Sequence, residues 1–406
     1  AGRRKMARRH QQLLTKKREG VSGSRDRTES VSEVAQRTTR IARHIARGDE
    51  LTAEGNDRDA LRAYRLAVLE DGKNIRAMMR IARAAYALQD YHLSSGACRR
   101  VIQLRSEWSL PYSWLGRTLL CLGQWSAAAD AFQRGLQFGA EGRDRELLMA
   151  AWRAMGRNDL IRCEIENWIR LMPDDPVATH YAIAVGLRKA SRASAEFVRT
   201  TFDRFARSYE QTMLEKLGYQ GPTVVRDVLA RMFGDARADL QVVELGCGTG
   251  LCGVELRAYA KGLTGVDLSA PMLEVAGKRG VYDQLVEADI LDFFARDAGK
   301  CDLVVAIDVC NYLGDLGPFI FGSAHMVSDC GRCVFSVEQI SRDSNGDGAG
   351  SDYRLEVHGR FSHRASYIER LMREAGWQIV EMQQVHLRRE LGVPVPMLLV
   401  EGVRHR

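Results

Sequence analysis

From residue 240 onward, short apolar runs alternate with stretches of helical character. The runs fall at residues 241–245, 262–267, 284–288, 302–307, 332–338, 377–385 and 395–403. Runs such as VVEL and LVVAI lack polar alternation, which is typical of strands covered on both faces. Strands that alternate with helices in this way predict an α/β fold with a doubly wound, mostly parallel sheet.

The first of these strands leads directly into a glycine-rich loop. In VVELGCGTG, Gly246, Gly248 and Gly250 follow the β-branched run on alternate positions. The carboxyl end of such a strand is where a nucleotide-like ligand binds, and residues without Cβ let backbone N–H groups approach it closely. Leu251 and Cys252 stand where a P-loop requires Lys and Ser/Thr. Leu251 also replaces the third glycine of a dinucleotide fingerprint, so both alternatives are disfavoured.

The loop and the strands that follow it resemble the class I S-adenosylmethionine-dependent methyltransferases, whose first motif is an acidic residue followed by GxGxG. Glu244 takes the acidic position. The segments GVDLSAPML, EADI and DLVVAIDVCNY then follow in the order of that family's later motifs, and they carry Asp267, Asp289 and Asp308. The resemblance covers residues 197–403 and implies a Rossmann-like fold with S-adenosyl-L-methionine as the cofactor.

The resemblance assigns the cofactor to the glycine loop and to the ends of the next strands. The family's ribose-binding carboxylate corresponds to Asp267, and a carboxylate can accept the hydrogens of both ribose hydroxyls. The acidic residue for the adenine amino group comes from the EADI segment. The expected cofactor-binding residues are Glu244, Gly246, Cys247, Gly248, Gly250, Asp267, Leu268, Met272, Ala288, Asp289, Ile290, Asp308 and Tyr209.

Three residues are the candidate catalytic groups: Asp308, Tyr312 and His363. His363 is the best general base by chemistry, since an unperturbed imidazole titrates near neutral pH. Such a base is needed only if the acceptor must lose a proton. Tyr219 and Asn311 are further acceptor-side candidates. The Asn-Pro-Pro-Tyr motif of many amide and base methylases is absent, which disfavours DNA-base and glutamine methylation.

Residues 36–176 repeat with a step of 34 residues. Small residues and larger apolar residues keep phase through three units, and a fourth unit continues to Pro173. The positions that correspond are Gly48, Ala60, Tyr64 and Ala67; Ala82, Ser94, Cys98 and Val101; and Gly116, Ala128, Phe132 and Gly135. The spacing resembles tetratricopeptide repeats, which stack as helix pairs and commonly offer a concave surface to a peptide or protein.

The sequence therefore predicts four regions. They are a basic tail without a core at 1–35, the helical repeats at 36–176, a helical connector at 177–239 and the methyltransferase domain at 240–406. The combination resembles a bacterial group of methyltransferases with an N-terminal tetratricopeptide array. Segments shared with that group include FDRFARSY, LGY, FSHRASY and LRRE.

Charge and cysteine content restrict the partners and the compartment. Of a net charge of +7, the eight basic and no acidic residues of positions 1–18 account for all the excess. The remainder is near neutral, so nucleic-acid binding is not indicated beyond weak contacts by the tail. Nine cysteines without a disulfide framework favour a reducing compartment, here the cytoplasm. No apolar run is long enough for a membrane span.

Three functions from different classes fit these features. The first is methyl transfer to an oxygen or nitrogen of a small molecule, and the second is modification of a protein recruited by the repeats. The third is an assembly factor whose cofactor site is not catalytic; the intact motif residues argue against it. A homodimer is left open. No metal site is expected, since the segment beginning at Asp343 starts like a calcium loop but has Arg354 where the bidentate Glu belongs.

Overall fold

The computed structural model describes residues 30–140, 142–296, 299–340, 351–390 and 392–404. One compact unit ends at Ala151 and a second begins at Trp152. No helix in these ranges is long and apolar enough to cross a membrane. The basic tail up to residue 29 and the calcium-like segment 343–348 lie outside the described residues.

The first unit is built of helices, and from the first to the sixth each one packs against the next along the chain. The first helix begins at Val31, inside the segment assigned to the tail, because Ser30 and Glu33 form a reciprocal capping box. The helices are α1 (Val31–Ala53), α2 (Asp57–Glu70), α3 (Ile75–Ala87), α4 (Tyr91–Leu104), α5 (Ser109–Cys121), α6 (Trp125–Gln137) and α7 (Gly142–Ala154), which crosses the unit boundary.

The small and large residues of the repeating pattern meet where the two helices of a pair cross. A Cβ on Gly48 would lie 2.3 Å from Cε1 of Tyr64, and one on Gly116 would lie 2.6 Å from Cε1 of Phe132. Both aromatic rings are almost fully buried. The 34-residue step therefore marks equivalent helix crossings, since each glycine allows the close approach that its aromatic partner requires.

Helices also open the second unit, and further helices alternate with its strands. They are α8 (Asn158–Leu171), α9 (Pro176–Ala184), α10 (Ala195–Phe205), a 3-10 turn (Ala206–Ser208), a π-helical segment (Gln211–Lys216), α11 (Gly221–Phe233), α12 (Gly253–Arg257), α13 (Ala270–Gly277), α14 (Ile290–Phe294), a 3-10 turn (Cys310–Tyr312), α15 (Gly317–Met326) and α16 (Ala365–Glu374). Helix α11 starts at Gly221-Pro222, since proline suits the first turn of a helix.

The strands confirm the predicted mostly parallel sheet. They are β1 (Leu240–Leu245), β2 (Ala260–Asp267), β3 (Gln284–Glu287), β4 (Cys301–Ala306), β5 (Val327–Gln339), β6 (Tyr353–Leu355), β7 (Phe361–His363), β8 (Trp377–Val385), β9 (Arg389–Glu390), β10 (Val393–Pro394) and β11 (Met397–Arg404). The main order is β3-β2-β1-β4-β5-β11-β8, with β7 on β5 and β6 on β7. The first five strands are parallel, while β11 runs antiparallel to β5 and β8.

Apolar side chains cover the sheet on both faces, as the unbroken runs predicted. Val304 of β4 packs into the cluster formed with α15 and α16, whereas its neighbours Leu303 and Val305 pack with α11 and α12. Successive side chains of a strand point to opposite faces, so one short strand serves both cores. This arrangement brings the carboxyl ends of β1 to β4 to the same edge of the sheet. The four short strands β6, β7, β9 and β10 were not among the predicted runs.

Candidate functional site

The glycine loop after β1 adopts a backbone that side chains would obstruct. Gly246, Gly248 and Gly250 have φ of 67°, 54° and 81°, all in the left-handed region. A Cβ on Gly246 would lie 2.3 Å from Cγ2 of Val309. At Gly248 no atom lies within 4 Å of the corresponding Cβ position, and this residue lines a cavity. The loop therefore presents bare main chain to open space.

Asp267, at the end of β2, fixes this loop from the side. Its Oδ2 accepts a hydrogen bond from the Gly248 N–H (2.8 Å), and its Oδ1 accepts one from the Ser269 N–H (2.9 Å). Burial raises the pKa of Asp267, and these N–H groups act in the opposite direction. A carboxylate has about four acceptor positions, so these backbone hydrogen bonds leave it able to accept from a ligand in the cavity that Asp267 lines.

Asp289 follows β3 and is held by a residue that the sequence did not single out. The Arg192 guanidinium donates to both of its carboxylate oxygens, at 3.1 and 3.0 Å. Its Oδ1 also accepts from the Leu291 N–H, which caps α14. The expected adenine-side carboxylate is thus fixed in place and charge-paired. No motif marks Arg192, because its partner lies 97 residues further along the chain.

Asp308 lies just beyond β4 in a conformation that is unfavourable for a residue with a side chain. Its φ is 58°, and left-handed geometry costs an L-residue about 1–2 kcal/mol. The backbone N–H donates to Ser336 Oγ (2.7 Å), and Oδ1 accepts from Asn311 Nδ2 (3.0 Å). The same oxygen is ion-paired with Arg388. Such strain persists where the surroundings enforce it, commonly at functional sites.

Arg388 connects Asp308 to a buried group of charged side chains. It is 4% exposed and also pairs with Glu338 of β5, which is 4% exposed. Arg360 bridges Glu338 and Glu390, while His358 Nε2 lies 3.3 Å from Glu338. Burial by itself would raise the pKa of Glu338, but Arg360, His358 and Arg388 lower it to about 2. Opposite charges therefore compensate one another beneath this wall of the cavity.

The structure corrects the prediction that His363 acts as a base. The side chain is fully buried in β7 and does not line the cavity. Its Nε2 lies 2.8 Å from the Leu313 carbonyl oxygen and 3.0 Å from that of Gly314. Two acceptors require Nε2 to carry the proton, and burial lowers the pKa to about 4. His363 is thus a neutral donor that fixes the backbone after Tyr312.

Tyr209, an expected cofactor-binding residue, and Tyr312, a candidate catalytic residue, both line the cavity. Burial raises the pKa of Tyr312 to about 12 and that of Tyr209 well above its usual value. Both hydroxyls are therefore protonated near neutral pH. Phe202 packs edge-on against Tyr312, with ring centroids 5.5 Å apart. Neither tyrosine is thus available as a proton acceptor.

The connector lines one side of the cavity and is attached at several points to the segments between the strands. Asp203 Oδ1 accepts from Ser269 Oγ (2.6 Å), and Glu210 pairs with Arg279 (2.6 Å). The Ala193 N–H donates to the Tyr312 carbonyl oxygen (2.9 Å). The connector is thus a structural part of the site.

Three of the expected cofactor residues support the loop without lining the cavity: Glu244, Cys247 and Gly250. The buried Glu244 carboxylate accepts from the Tyr282 hydroxyl (2.7 Å), and burial raises its pKa to about 8. A Cβ on Gly250 would lie 2.9 Å from Tyr282. Tyr282, which the sequence did not indicate, therefore packs beneath the loop. Tyr219 is also buried outside the cavity lining.

The remaining expected residues gather around a single cavity of about 800 Å³, open solvent at its mouth included. Site residues predicted from the sequence that line it are Tyr209, Gly246, Gly248, Asp267, Leu268, Met272, Ala288, Asp289, Ile290, Asp308 and Tyr312. Among the described residues, no group of three His, Cys, Asp or Glu side chains could hold a metal ion.

The polar and apolar groups on the cavity wall fit the parts of S-adenosylmethionine. Free acceptor positions on Asp267 suit ribose hydroxyls, and the bare main chain at Gly246 and Gly248 suits the amino-acid portion. The apolar side chains of Leu268, Met272 and Ile290 lie on the wall that continues to Asp289, which suits an adenine ring. These residues would hold the cofactor.

Comparisons with known proteins agree with this fit. A family model described as a methyltransferase domain matches residues 217–382. The ubiquinone biosynthesis O-methyltransferase of Azorhizobium caulinodans is 30% identical over 175 residues, which cover 39% of this chain and 69% of the relative. That of Aromatoleum aromaticum is 27% identical over 158 residues, covering 36% of this chain and 67% of the relative.

Among solved structures, the N-methyltransferase NodS from Bradyrhizobium japonicum in complex with S-adenosyl-L-homocysteine has a TM-score of 0.40 and 19% identity. It covers 52% of this chain and 99% of its own. The sequence relatives show the family, since 30% identity extends over more than two thirds of the length of the Azorhizobium caulinodans protein. The chain belongs to the class I S-adenosylmethionine-dependent methyltransferases.

Proposed function

We propose that this enzyme methylates an oxygen or nitrogen atom of a small molecule. The observation that carries the proposal is the cavity of about 800 Å³ roofed by the connector, in which Asp308 and the two tyrosines share a space with the cofactor-binding residues. The relatives named as ubiquinone biosynthesis O-methyltransferases favour a hydroxyl acceptor.

S-adenosylmethionine, when bound, supplies a methyl group that its sulfonium has already activated. The protein's task is alignment, which can contribute about 7–11 kcal/mol to a transfer reaction. Asp267 and the Gly248 backbone orient the cofactor, and the rings of Phe202, Tyr209 and Tyr312 keep water out. A dry, fixed environment also strengthens the electrostatic effect of the nearby carboxylates.

Asp308 is the residue that would act on the acceptor. Its Oδ1 is occupied by Arg388 and Asn311, and no described residue donates to Oδ2. That oxygen can accept a hydrogen bond, or the proton, from an acceptor hydroxyl or amine. Because Arg388 fixes the carboxylate from behind, Asp308 can orient the acceptor's lone pair toward the methyl group.

The test uses the full chain, methyl-labelled S-adenosylmethionine and a panel of phenols, catechols and amines, with mass spectrometry of the products. We expect a labelled small molecule, and a fall in kcat of at least about a hundredfold for Asp308→Asn, as for loss of acid–base assistance. Cofactor affinity should stay near that of the wild type. Asp292→Asn, at an exposed helix position, is the matched control. Label found only on polypeptide, or unchanged turnover in Asp308→Asn, would overturn the proposal.

We also infer that the helix pairs of the first unit are tetratricopeptide repeats and that the chain belongs to the bacterial methyltransferase group that carries them. Two helix crossings support this inference: that of Gly48 with Tyr64 and that of Gly116 with Phe132. They are two 34-residue steps apart in the sequence. All nine cysteines are free thiols, which supports a reducing compartment such as the cytoplasm. Methylation of a recruited protein is the second candidate function, and it is favoured by this helical array.

A further inference from the structure

The first unit carries an arginine-rich groove that methyl transfer does not use. It lies along α3 and the turn that leads into α5, and it encloses about 820 Å³, open solvent included. Met79 and Trp108 line its apolar part. Four guanidinium groups surround them: those of Arg76, Arg80, Arg83 and Arg105.

Three of these arginines share one face of a single helix. Arg76, Arg80 and Arg83 are separated by four and then three residues, so their side chains are neighbours on the α3 surface. Like charges at this spacing destabilise a helix by about 0.2–0.5 kcal/mol per pair. The three arginines on this face therefore do not serve to stabilise the helix.

Only part of this positive charge is compensated within the described residues. Asp49 of α1 lies 2.8 Å from Arg80 and 3.6 Å from Arg76. Arg83 and Arg105 instead lie over the rings of Trp114 and Trp108, at 5.6 and 5.4 Å from the ring centroids. These two have no described carboxylate within ion-pair distance, and both are exposed.

An arginine that lies over a tryptophan ring can still bind an anion. The ring attracts the guanidinium, while the N–H groups that it does not cover stay available. A planar guanidinium matches a carboxylate with two parallel hydrogen bonds. Arg83 and Arg105 therefore offer two carboxylate-binding positions beside an apolar floor.

We propose that this groove binds an acidic segment of a partner protein whose carboxylates pair with Arg83 and Arg105 and whose apolar side chains cover Met79 and Trp108. A protein segment fits better than nucleic acid, because the carboxylate of Asp49 lies within the arginine cluster and would repel a continuous phosphate backbone. The apolar floor also matches side chains that a phosphate chain lacks. The inference is independent of the acceptor proposed above, since every groove residue precedes Ala151.

The test measures fluorescence anisotropy of a labelled short peptide that alternates Glu and Leu, titrated with the full-length protein. We expect saturable binding that weakens at least about tenfold in the charge-reversal variant Arg83→Glu/Arg105→Glu. Raising the salt concentration from about 0.05 M to about 0.3 M should weaken it as well, as expected for exposed charges. The milder Arg83→Gln/Arg105→Gln variant should give a smaller loss in the same direction.

Arg58→Glu/Arg99→Glu is the matched control, since it changes the net charge equally at exposed positions outside the groove. It should bind the peptide as the wild type does. Circular dichroism and S-adenosylmethionine affinity, both unchanged, establish that each variant is folded. The proposal is overturned if the peptide does not bind, if the control loses as much affinity as the groove variant, or if oligothymidylate binds more tightly than the peptide.

Discussion

Asp267 and Asp308 lie at the ends of β2 and β4, the strands that flank β1, and the protein holds these two carboxylates by different means. Backbone N–H groups of Gly248 and Ser269 hold Asp267. Side chains hold Asp308, principally Arg388, which lies 80 residues further along the chain. The proposed cofactor side of the cavity is thus held by local main chain, whereas the proposed acceptor side depends on long-range charge pairing.

The difference suggests which side can vary between enzymes of this fold. Main-chain donors are present whatever the side chains are, so the cofactor side needs only glycines and one acid. The acceptor side needs Arg388, Glu338 and Arg360 to be correct together, because an unpaired buried charge is costly. Substitutions on the acceptor side should therefore mainly lower stability, whereas substitutions on the cofactor side should mainly lower cofactor affinity.

The largest effect is expected for Arg388→Met, which removes the link between Asp308 and Glu338. Both carboxylates would remain buried without this partner, and breaking such a pair costs about 3–5 kcal/mol. The free energy of unfolding from chemical denaturation should fall by that amount. Arg389→Met, at the adjacent exposed position, is the control. Equal losses in both variants would show that the acceptor side does not depend on the buried pair.

The next effect concerns pH and His363. Its pKa is lowered from 6.5 in the unfolded chain to about 4 in the folded protein. The unfolded state therefore binds the proton first, and stability is lost as the pH falls from 6.5 toward 4, by about 1.4 kcal/mol per unit at most. His363→Gln keeps a neutral donor and should flatten this dependence. Denaturant titrations across that pH range measure it.

Exposed His325→Gln is the control for that experiment and should leave the wild-type pH dependence intact. His180 is also buried, with its pKa lowered to about 4, so part of the dependence should persist in His363→Gln. A wild-type and a His363→Gln curve that coincide would contradict the assignment of His363 as a buried neutral donor on the acceptor side.

On the cofactor side, Asp267→Ala should weaken S-adenosylmethionine binding by about a hundredfold, near 2.7 kcal/mol. It removes a charged hydrogen-bond acceptor, for which about 1.5–3 kcal/mol is typical, and it also releases the Gly248 N–H. Isothermal titration calorimetry measures the loss. Exposed Asp227→Ala should bind as the wild type does. Unchanged affinity in Asp267→Ala would remove Asp267 from the cofactor site.

The smallest effect is expected for Gly248→Ala. No atom obstructs the new methyl group, but a φ of 54° disfavours any side chain, by about 1 kcal/mol of unfolding free energy. The methyl group would also enter the cavity and reduce cofactor affinity. Gly72→Ala, at an equally open position without positive φ, should leave both unchanged. A Gly248→Ala variant as stable as its control would show that the loop backbone is less constrained than described.

The features that the sequence predicted are those that depend on local contacts, and the features that it missed depend on long-range pairing. The glycine loop, the acids at the strand ends and the seven main strands were recognisable because each depends on neighbours close in sequence. Arg192, Tyr282 and Arg388 were missed as site residues, since their importance comes from partners that only the folded chain brings near. His363 was misassigned because its chemistry suits a base, whereas its complete burial in β7 could not be seen from the sequence.

The central claim is that the cavity at the ends of β1 to β4 binds S-adenosylmethionine. Calorimetric titration of the wild-type full chain with S-adenosylmethionine and with S-adenosylhomocysteine tests it most directly. We predict saturable binding of both compounds with one site per chain. Absence of binding by either compound at millimolar concentration, in protein shown to be folded, would contradict the account.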